Sequence, residues 1–221
     1  HILVHLAAVS HSTQSNKDPF NTFDHSFRTL ENSLDNAKNK VEHFIYVSSS
    51  MVYGNFKTDI VTEDYHCEPM GIYGALKYSG EKLVIAYNQV FDLPYTIIRP
   101  SALYGERCIS RRVGQIFLEK AFLNRPLEVV DGGSDMLDFT YVDDLLEGFK
   151  SIIENKNSIN QVFNITYGNA KKIISLVDIL REYFPDLKLK NMERDKLSPK
   201  RGTLSIEKAK SLLGYKPKWD I

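Results

Sequence analysis

Short apolar runs alternate with amphipathic helical patterns over the first hundred residues. The runs Ile2 to Leu6, Phe44 to Val47 and Tyr95 to Ile98 are rich in β-branched and aromatic residues, which is typical of strands buried on both faces of a parallel sheet. Between them, apolar residues recur at three- and four-residue steps from Phe23 to Ala37 and from Leu76 to Phe91, as on one face of a helix. This alternation predicts an α/β fold with a doubly wound parallel sheet.

The second half of the chain contains shorter and more mixed elements. A helix is predicted over Val113 to Ala121, followed by strands at Leu127 to Val130, Phe139 to Val142 and, later, Val162 to Ile165. A further helix is predicted to begin at the capping pair Asp143-Asp144 and to bury Leu145, Leu146, Phe149, Ile152 and Ile153. Another is predicted to begin at Ser175, which forms a capping-box-like pattern with Asp178. The last is predicted from Ser205 to Gly214. We predict one domain over residues 1–105 and a smaller α+β lobe over 106–221, with some segments returning to the sheet.

Composition excludes several classes of partner. Lys plus Arg equals Asp plus Glu, 28 against 28, so the net charge gives no reason to expect nucleic acid or an anionic membrane as a partner. No apolar run approaches the roughly 20 residues of a membrane helix. Cys67 and Cys108 stand far apart, and the six histidines show no ligand spacing, so we expect a reducing cytoplasm and no metal site. His5 is expected to be a hydrogen-bonded core residue.

The pattern Tyr-x-x-x-Lys occurs four times, and its context separates the copies. They are Tyr53/Lys57, Tyr73/Lys77, Tyr78/Lys82 and Tyr167/Lys171. Gly-Asn follows the first and last tyrosines, so those copies are predicted to lie in turns. The other two share one helix, where residues four apart lie on one face. Tyr73 stands at the helix start, near the sheet edge where ligands bind in such folds, whereas Tyr78 is rotated from it by roughly 140°.

A tyrosine next to a lysine offers acid–base chemistry. A free tyrosine has a pKa of about 10 and is a weak base at neutral pH. An ammonium group one turn away favours the phenolate and lowers that pKa. Tyr73 and Lys77 are therefore the candidates for such a pair. The alternative for any single copy is an exposed helical pair without a catalytic role.

Three serines follow the second predicted strand. Ser48, Ser49 and Ser50 stand in the run from Ile45 to Gly54, so their hydroxyls are predicted to lie at the carboxyl end of the strand. There they could donate hydrogen bonds to a sugar oxygen. The alternative, that they satisfy backbone groups in a turn, accounts for one or two of them.

Eight motifs occur in the order and rough spacing of a known family. They are His5-Leu-Ala-Ala8, Tyr46 to Gly54, Thr62-Glu63, Pro69, Tyr73-Gly-x-x-Lys77 with Glu81, Arg99-Pro-Ser-x-x-Tyr-Gly105, Phe139-Thr-Tyr-Val-Asp-Asp144 and Leu213-Gly-Tyr-Lys-Pro217. The chain resembles the extended short-chain dehydrogenase/reductase family, in its NAD-dependent nucleotide-sugar epimerase/dehydratase branch, over essentially its whole length. The resemblance implies a Rossmann-type sheet similar to that of UDP-glucose 4-epimerases.

The same resemblance implies a site, residue by residue. It assigns catalysis to Ser49, Tyr73 and Lys77, and it places NAD, with NADP not excluded, along Leu6, Ala7, Ala8, Ser48, Tyr73, Lys77 and Pro100. It leaves Ser50, Ser101, Arg111, Arg112 and Arg201 to bind a nucleotide-sugar substrate. Residues 1–105 would then be the NAD(P)-binding domain and 106–221 mainly the substrate-binding lobe. The helices from about Asn21 and about Gly74 would form a homodimer interface.

The chain also departs from the family pattern. It has no glycine-rich turn between a strand and a helix, so we expect a truncated chain that lacks the first βαβ unit and binds NAD weakly or not at all. Ala102 and Leu137 stand where the family often has asparagine and arginine. Ser50 and Met51 stand where 4,6-dehydratases carry Asp-Glu, which favours epimerisation over dehydration. A non-catalytic dimerising fragment is the alternative from another class.

Overall fold

The computed structural model describes residues 1–108 and 112–221. The helices are α1 (Ser12–Lys17), α2 (Pro19–Thr22), α3 (Thr29–Ala37), α4 (Gly71–Phe91), α5 (Val113–Phe122), α6 (Val142–Glu154), α7 (Ile173–Tyr183) and α8 (Glu207–Leu213). The strands are β1 (Ile2–His5), β2 (His43–Val47), β3 (Ile60–Val61), β4 (Tyr95–Arg99), β5 (Leu103–Tyr104), β6 (Leu127–Val130), β7 (Met136–Leu137), β8 (Thr140–Tyr141), β9 (Gln161–Asn164), β10 (Lys171–Lys172), β11 (Leu189–Met192) and β12 (Thr203–Leu204). A π-helical turn at Phe23–Arg28 joins α2 to α3.

A four-stranded parallel sheet forms the centre of the molecule, in the order β1-β2-β4-β9. Its register places Val4 beside Ile45 and Ile97 beside Val162. The predicted α/β fold with a parallel sheet is therefore confirmed. The fourth strand, β9, comes from the second half of the chain.

Successive residues of the strands point to opposite faces of the sheet, so each face has its own core. Phe44 and Ile97 pack with Leu30, Leu34 and Val84, which belong to α3 and α4. The neighbouring residues Ile45 and Ile98 pack instead with Ile152 of α6 and Ala209 of α8. Helices from the second half of the chain therefore cover one whole face of the sheet.

A third core lies outside the sheet, among elements of the second half of the chain. Phe117 of α5, Leu127 of β6, Phe139, and Val177 of α7 pack together there. Strands β6 and β11 pair in parallel beside these helices. Among the described residues, no helix is both long and apolar enough to span a bilayer.

The prediction for α6 was wrong in its start and in part of its buried face. The helix begins at Val142, and Leu146 and Ile153 are 56% and 45% exposed. Leu145 and Ile152, seven positions apart, face the sheet, whereas the next residue in each case is turned by about 100° toward solvent.

The acidic pair at the start of α6 does not cap it. No side chain caps this helix. The carboxylate of Asp144 is buried and accepts hydrogen bonds from the backbone N–H groups of Lys218 and Trp219, at 2.8 and 3.0 Å. Asp144 thus ties the last residues of the chain to the first turn of α6.

The predicted capping box at Ser175 was also wrong. Helix α7 begins two residues earlier, at Ile173. The N–H of Ile173 donates to the backbone oxygen of Asp135 at 2.8 Å. Because a neighbouring chain segment satisfies this donor, the helix needs no serine cap at its start. The last helix does end as predicted, with Gly214 in the left-handed conformation.

Candidate active site

A cavity of about 400 Å³ lies where the carboxyl ends of β1, β2 and β4 meet the smaller lobe. The candidate residues that line it are Leu6, Ala8, Ser48, Ser49, Ser50, Tyr73, Lys77, Pro100, Ser101, Arg112 and Arg201. Ala7 is exposed and is not among the lining residues. Arg111 lies outside the described residues.

Tyr73 enters the cavity from the start of α4, where it is the third residue. Burial raises the pKa of its phenol, while a hydrogen bond with the Ser49 hydroxyl and the charge of Arg112 lower it. Tyr73 and Ser49 both line the cavity.

Lys77 lies one turn further along α4 and is buried, with 7% of its surface exposed. Its ammonium donates to the backbone oxygen of Val47 at 2.7 Å and lies 5.2 Å from the centre of the Tyr46 ring. Burial lowers the pKa of Lys77 to about 8, and the charge of Glu81 opposes that shift. At neutral pH Lys77 is a cation beside Tyr73.

The three serines at the end of β2 have different partners. Ser49 begins the 3₁₀ turn at Ser50–Tyr53, and its hydroxyl oxygen accepts the N–H of Met51 at 3.2 Å. The Ser48 hydroxyl donates to the buried carboxylate of Glu81 at 2.5 Å. Ser50 is buried, and its backbone N–H donates to the oxygen of Pro100 at 2.9 Å. The turn interpretation therefore applies to Ser49, whose hydroxyl also reaches Tyr73.

The other Tyr-x-x-x-Lys copies are absent from the cavity lining. Tyr53 lies in the 3₁₀ turn, and its hydroxyl donates to the side-chain oxygen of Asn164 at 2.7 Å. Tyr78 packs beside the core that contains Tyr53, with the Lys82 ammonium 4.8 Å from its ring. Tyr167 lies in a loop. Only the pair at the start of α4 lines the cavity.

Two arginines of the smaller lobe face the same cavity. Arg112 donates to the backbone oxygen of Ser10 at 2.9 Å, which links α5 to the loop after β1. Burial lowers the pKa of Arg201 to about 10, the charge of Asp135 opposes this shift, and the charge of Arg112 adds to it. No ion pair joins Arg201 to any residue that the structure describes. The cavity therefore carries positive charge that an anion could neutralise.

The family model for the NAD dependent epimerase/dehydratase family matches residues 1–166. The chain belongs to this family. The resemblance seen in the motifs is thereby confirmed.

Proteins of known name support the same assignment. The uncharacterized UDP-glucose epimerase YtcB of Bacillus subtilis is 27% identical over 220 residues, covering 98% of this chain and 69% of that protein. The structure of UDP-glucuronic acid 4-epimerase from Bacillus cereus, in complex with UDP-glucuronic acid and NAD, matches with a TM-score of 0.91 at 29% identity, covering 99% of this chain and 71% of that one. UDP-glucose 4-epimerase from Thermotoga maritima, with UDP-glucose, gives a TM-score of 0.89 at 28% identity, over 99% and 72%.

The residues at the cavity fit one end of the cofactor that names the family. The ammonium of Lys77 donates one hydrogen bond to Val47 and retains two further donors for ribose hydroxyls. Leu6, Ala8 and Pro100 supply an apolar wall beside it. These residues fit the nicotinamide and its ribose. The 221 residues contain no glycine-rich turn of the kind that binds a pyrophosphate.

Sequence reasoning missed several contacts of this site. The side-chain oxygen of Asn16 accepts the N–H of Ile72 at 3.0 Å and thereby caps the start of α4, whose own cap residue, Met70, contributes no side-chain hydrogen bond. The loop residues Leu197 and Pro199 also line the cavity. Asn16 is 56 positions from its partner, so no local spacing in the sequence reveals the contact.

His5 is buried, as expected. The prediction that its side chain is hydrogen-bonded was wrong for one of the two ring nitrogens. Its ring lies 6.1 Å from those of Phe44 and Tyr46. Its Nε2 has no hydrogen-bond partner among the described residues. Burial and the charge of Lys77 lower the pKa of His5, so the imidazole stays neutral. The described residues also contain no cluster of His, Cys, Asp and Glu that could hold a metal ion.

Proposed function

We propose that this chain epimerises a nucleotide-activated sugar in an NAD-dependent reaction that passes through a transient keto sugar. The observation that carries the proposal is the meeting of Ser49, Tyr73 and Lys77 in one cavity that Arg112 and Arg201 also line. Several relatives are named as UDP-sugar 4-epimerases, which supports the same reaction class.

Tyr73 is proposed as the general base. Its phenolate takes the proton from a sugar hydroxyl and later returns it to the oxygen of the product. The Lys77 ammonium, one turn away, is proposed to favour the phenolate, together with Ser49 and Arg112, which oppose the effect of burial on the pKa of Tyr73. Because burial holds the pKa of Lys77 at about 8, this support is present at neutral pH and is lost in alkaline solution.

Ser49 is proposed to position the reacting oxygen. Its hydroxyl reaches Tyr73 and can donate to the oxygen that becomes the carbonyl of the keto sugar. Bound NAD⁺ supplies the chemistry of accepting and returning a hydride. Ser48, Lys77 and Pro100 are proposed to flank the nicotinamide, with Leu6, Ala7 and Ala8 along the cofactor's path.

The arginines are proposed to bind the phosphates of the nucleotide. The Arg112 and Arg201 guanidinium groups face the cavity, and the planar fork of a guanidinium matches phosphate oxygens. Arg111 is proposed as a further phosphate ligand on the basis of the sequence alone. Ser50 and Ser101, buried at the end of β2 and after β4, are proposed to contact the sugar.

Two cavity residues support epimerisation over dehydration. A 4,6-dehydration needs an acid and a base beside the catalytic hydroxyl. Ser50 and Met51 occupy those places in the cavity lining, and neither side chain titrates near neutral pH.

We further propose that residues 1–105 mainly bind the cofactor, that residues 106–221 mainly bind the substrate, and that the protein is a cytoplasmic homodimer. Support for the dimer comes from apolar side chains exposed on α2, the π-helical turn and α4. Phe20, Phe23, Val90 and Phe91 are between 37% and 76% exposed there. The free thiol of Cys67 is compatible with a reducing compartment.

Epimerase activity is tested by incubating the protein with UDP-glucose or UDP-glucuronic acid and following the sugar signals by proton NMR, at millimolar NAD⁺ to compensate for the weak cofactor binding expected from the sequence. We expect the 4-epimer of one of these substrates to accumulate to equilibrium. Tyr73→Phe should reduce the rate by about 10²-fold or more because the base is removed.

Tyr78→Phe is the matched control, since Tyr78 stands on the same helix outside the cavity lining. Its rate should equal that of the unaltered protein. Equal rates for Tyr73→Phe and Tyr78→Phe would contradict the assignment of the base. The absence of any epimer from either substrate would contradict the proposed reaction.

A further inference from the structure

Glu81 is a buried carboxylate directly behind the proposed site. Only 1% of its surface is exposed, and Arg99, its ion-pair partner, is 5% exposed. The Nε and Nη2 atoms of Arg99 donate to the two carboxylate oxygens at 2.9 and 2.7 Å. The Ser48 hydroxyl donates to the same carboxylate at 2.5 Å. Glu81 thus joins α4 to the ends of both β2 and β4.

The arginine is itself fixed from the far side. Its Nη1 donates to the hydroxyl of Tyr53 at 2.9 Å and to the backbone oxygen of Glu63 at 3.0 Å. Tyr53 in turn donates to Asn164 at 2.7 Å. A carboxylate held by so many partners has a single position, so its charge acts on a fixed point of the site.

Lys77 lies one helical turn before Glu81, on the same face of α4. The titratable groups around its ammonium are Tyr46 from β2, His5 from β1, and Tyr73 and Glu81 from α4. His5 and the two tyrosines are neutral at neutral pH, since burial lowers the pKa of His5 and raises those of Tyr46 and Tyr73. Glu81 is therefore the negative charge in this group.

A purely structural role does not require this arrangement. Replacing a buried ion pair by apolar residues of similar volume is often neutral or stabilising. Here the carboxylate accepts hydrogen bonds from both Arg99 and Ser48, and it lies one helical turn from Lys77 on the same face of α4.

We propose that Glu81 is a positioning residue which, clamped by Arg99, fixes the Ser48 hydroxyl and supplies the buried negative charge that keeps the Lys77 ammonium protonated. This inference rests on the proposed function, which assigns Ser48 and Lys77 to the active site. Glu81 acts only through these two side chains.

The test measures the titration of Lys77 by ¹⁵N NMR of its ammonium group in the 221-residue chain, with Lys77→Met to assign the signal. Glu81→Gln removes the negative charge and leaves an amide that can still hydrogen-bond to Arg99 and Ser48. In the unaltered chain the signal should titrate near pH 8. In Glu81→Gln we expect the proton affinity of Lys77 to fall by about tenfold or more, because the charge that favours the ammonium is gone while the positive charge of Arg99 remains.

Asp138→Asn is the matched control, since Asp138 is a buried carboxylate outside this cluster. Lys77 should titrate there as in the unaltered chain. An unchanged titration in a folded Glu81→Gln protein, judged by amide dispersion, would overturn the proposal. This readout needs no turnover, so a failure of epimerase activity would leave it unaffected.

Glu81→Asp covers the case in which Glu81→Gln does not fold because it leaves Arg99 buried without its partner. It keeps the charge that Arg99 requires and withdraws the carboxylate by one methylene from Ser48 and Lys77. The titration of Lys77 should move in the same direction by a smaller amount. A folded Glu81→Asp protein in which Lys77 titrates at its original pH would overturn the proposal.

Discussion

At the scale of single residues, Lys77 sets an upper pH limit for the proposed chemistry. Its pKa of about 8 means that the ammonium is lost just above physiological pH. We expect kcat/KM to fall as the pH rises through about 8. Lys77→Met should remove this alkaline limb and reduce kcat/KM by about 10²-fold. Lys82→Met is the control, because Lys82 lies over the ring of Tyr78 and outside the cavity lining. The same pH profile of kcat/KM in both variants would refute the role assigned to Lys77.

Asp138 should make stability depend on pH in the opposite sense to most carboxylates. Burial raises its pKa from 3.8 to about 6, although Leu204, Gly168 and Thr166 donate hydrogen bonds to it. The folded state therefore binds its proton more tightly than the unfolded state between about pH 4 and 6. Stability from this group is present below pH 4 and is lost as the pH rises to 6.

The measurement compares urea unfolding of the unaltered chain and Asp138→Asn across that range. As the pH rises from 4 to 6, the unaltered chain should lose up to about 3 kcal/mol relative to the variant. A free-energy difference that stays flat or moves the other way would show that the hydrogen bonds to Asp138 outweigh its burial.

Sequence patterns revealed those site residues whose relations are local. Tyr73 and Lys77 are four positions apart at the start of one predicted helix, and the serines follow directly after a predicted strand, so spacing and local context together identified them. The contacts of Asn16 with Ile72 and of Arg112 with Ser10 join residues 56 and 102 positions apart. Nothing local distinguishes these side chains from others of the same type, and the same holds for the tether formed by Asp144.

At the scale of elements, the start of α4 depends on a side chain from another helix. Asn16, on α1, accepts the N–H of Ile72. Asn16→Ala should lower the free energy of unfolding by about 1 kcal/mol, the usual effect of losing a cap, measured by chemical denaturation. Asn36→Ala removes an exposed hydrogen bond within α3 and should change stability by less than half as much. An equal loss of unfolding free energy in both variants would show that Asn16 does not stabilise the start of α4 as a cap.

Close packing of α4 on the sheet requires Gly80. A Cβ there would lie 2.4 Å from the Tyr46 hydroxyl and 2.8 Å from a methyl group of Leu30. Gly80→Ala should therefore destabilise the protein by about 1 to 3 kcal/mol, despite the better helix propensity of alanine. Gly114→Ala, in α5, meets only Tyr104 at 4.0 Å and should be neutral or stabilising by up to about 1 kcal/mol. The thermal unfolding temperatures of the two variants are compared with that of the unaltered chain. A Gly80→Ala protein as stable as the unaltered chain would contradict the close packing of α4 on the sheet.

At the scale of the whole molecule, the proposed dimer interface can be tested against another exposed apolar site. Val90 on α4 is 69% exposed, and Val90→Asp should shift the protein toward monomer by burying a charge in the interface. Light scattering after size exclusion measures the change. Phe122→Ser, at a residue 76% exposed on α5, should leave the mass unchanged. A monomeric unaltered chain at micromolar concentration would contradict the proposal.

The overall layout was predictable only in part. Hydrophobic period and length identified the sheet strands and most helices, since these signals are local. Which strands are neighbours was not readable, and the pairing of β9 with β4 joins residues more than sixty positions apart. The exposed side of α6 was missed because five apolar residues span a wider arc than the sheet covers.

The unequal covering of the two sheet faces has a consequence for synthesis on the ribosome. The face covered by α3 and α4 has both its helices and three of the four strands once residue 99 has emerged, whereas the opposite face still needs α6 and α8. At roughly 5 to 20 residues per second, Ile45 and Ile98 remain without their helices for on the order of 5 to 20 seconds. During that interval the nascent chain presents a flat apolar surface to its neighbours, so dense polysomes should favour aggregation and holdase chaperones should improve the yield of folded protein.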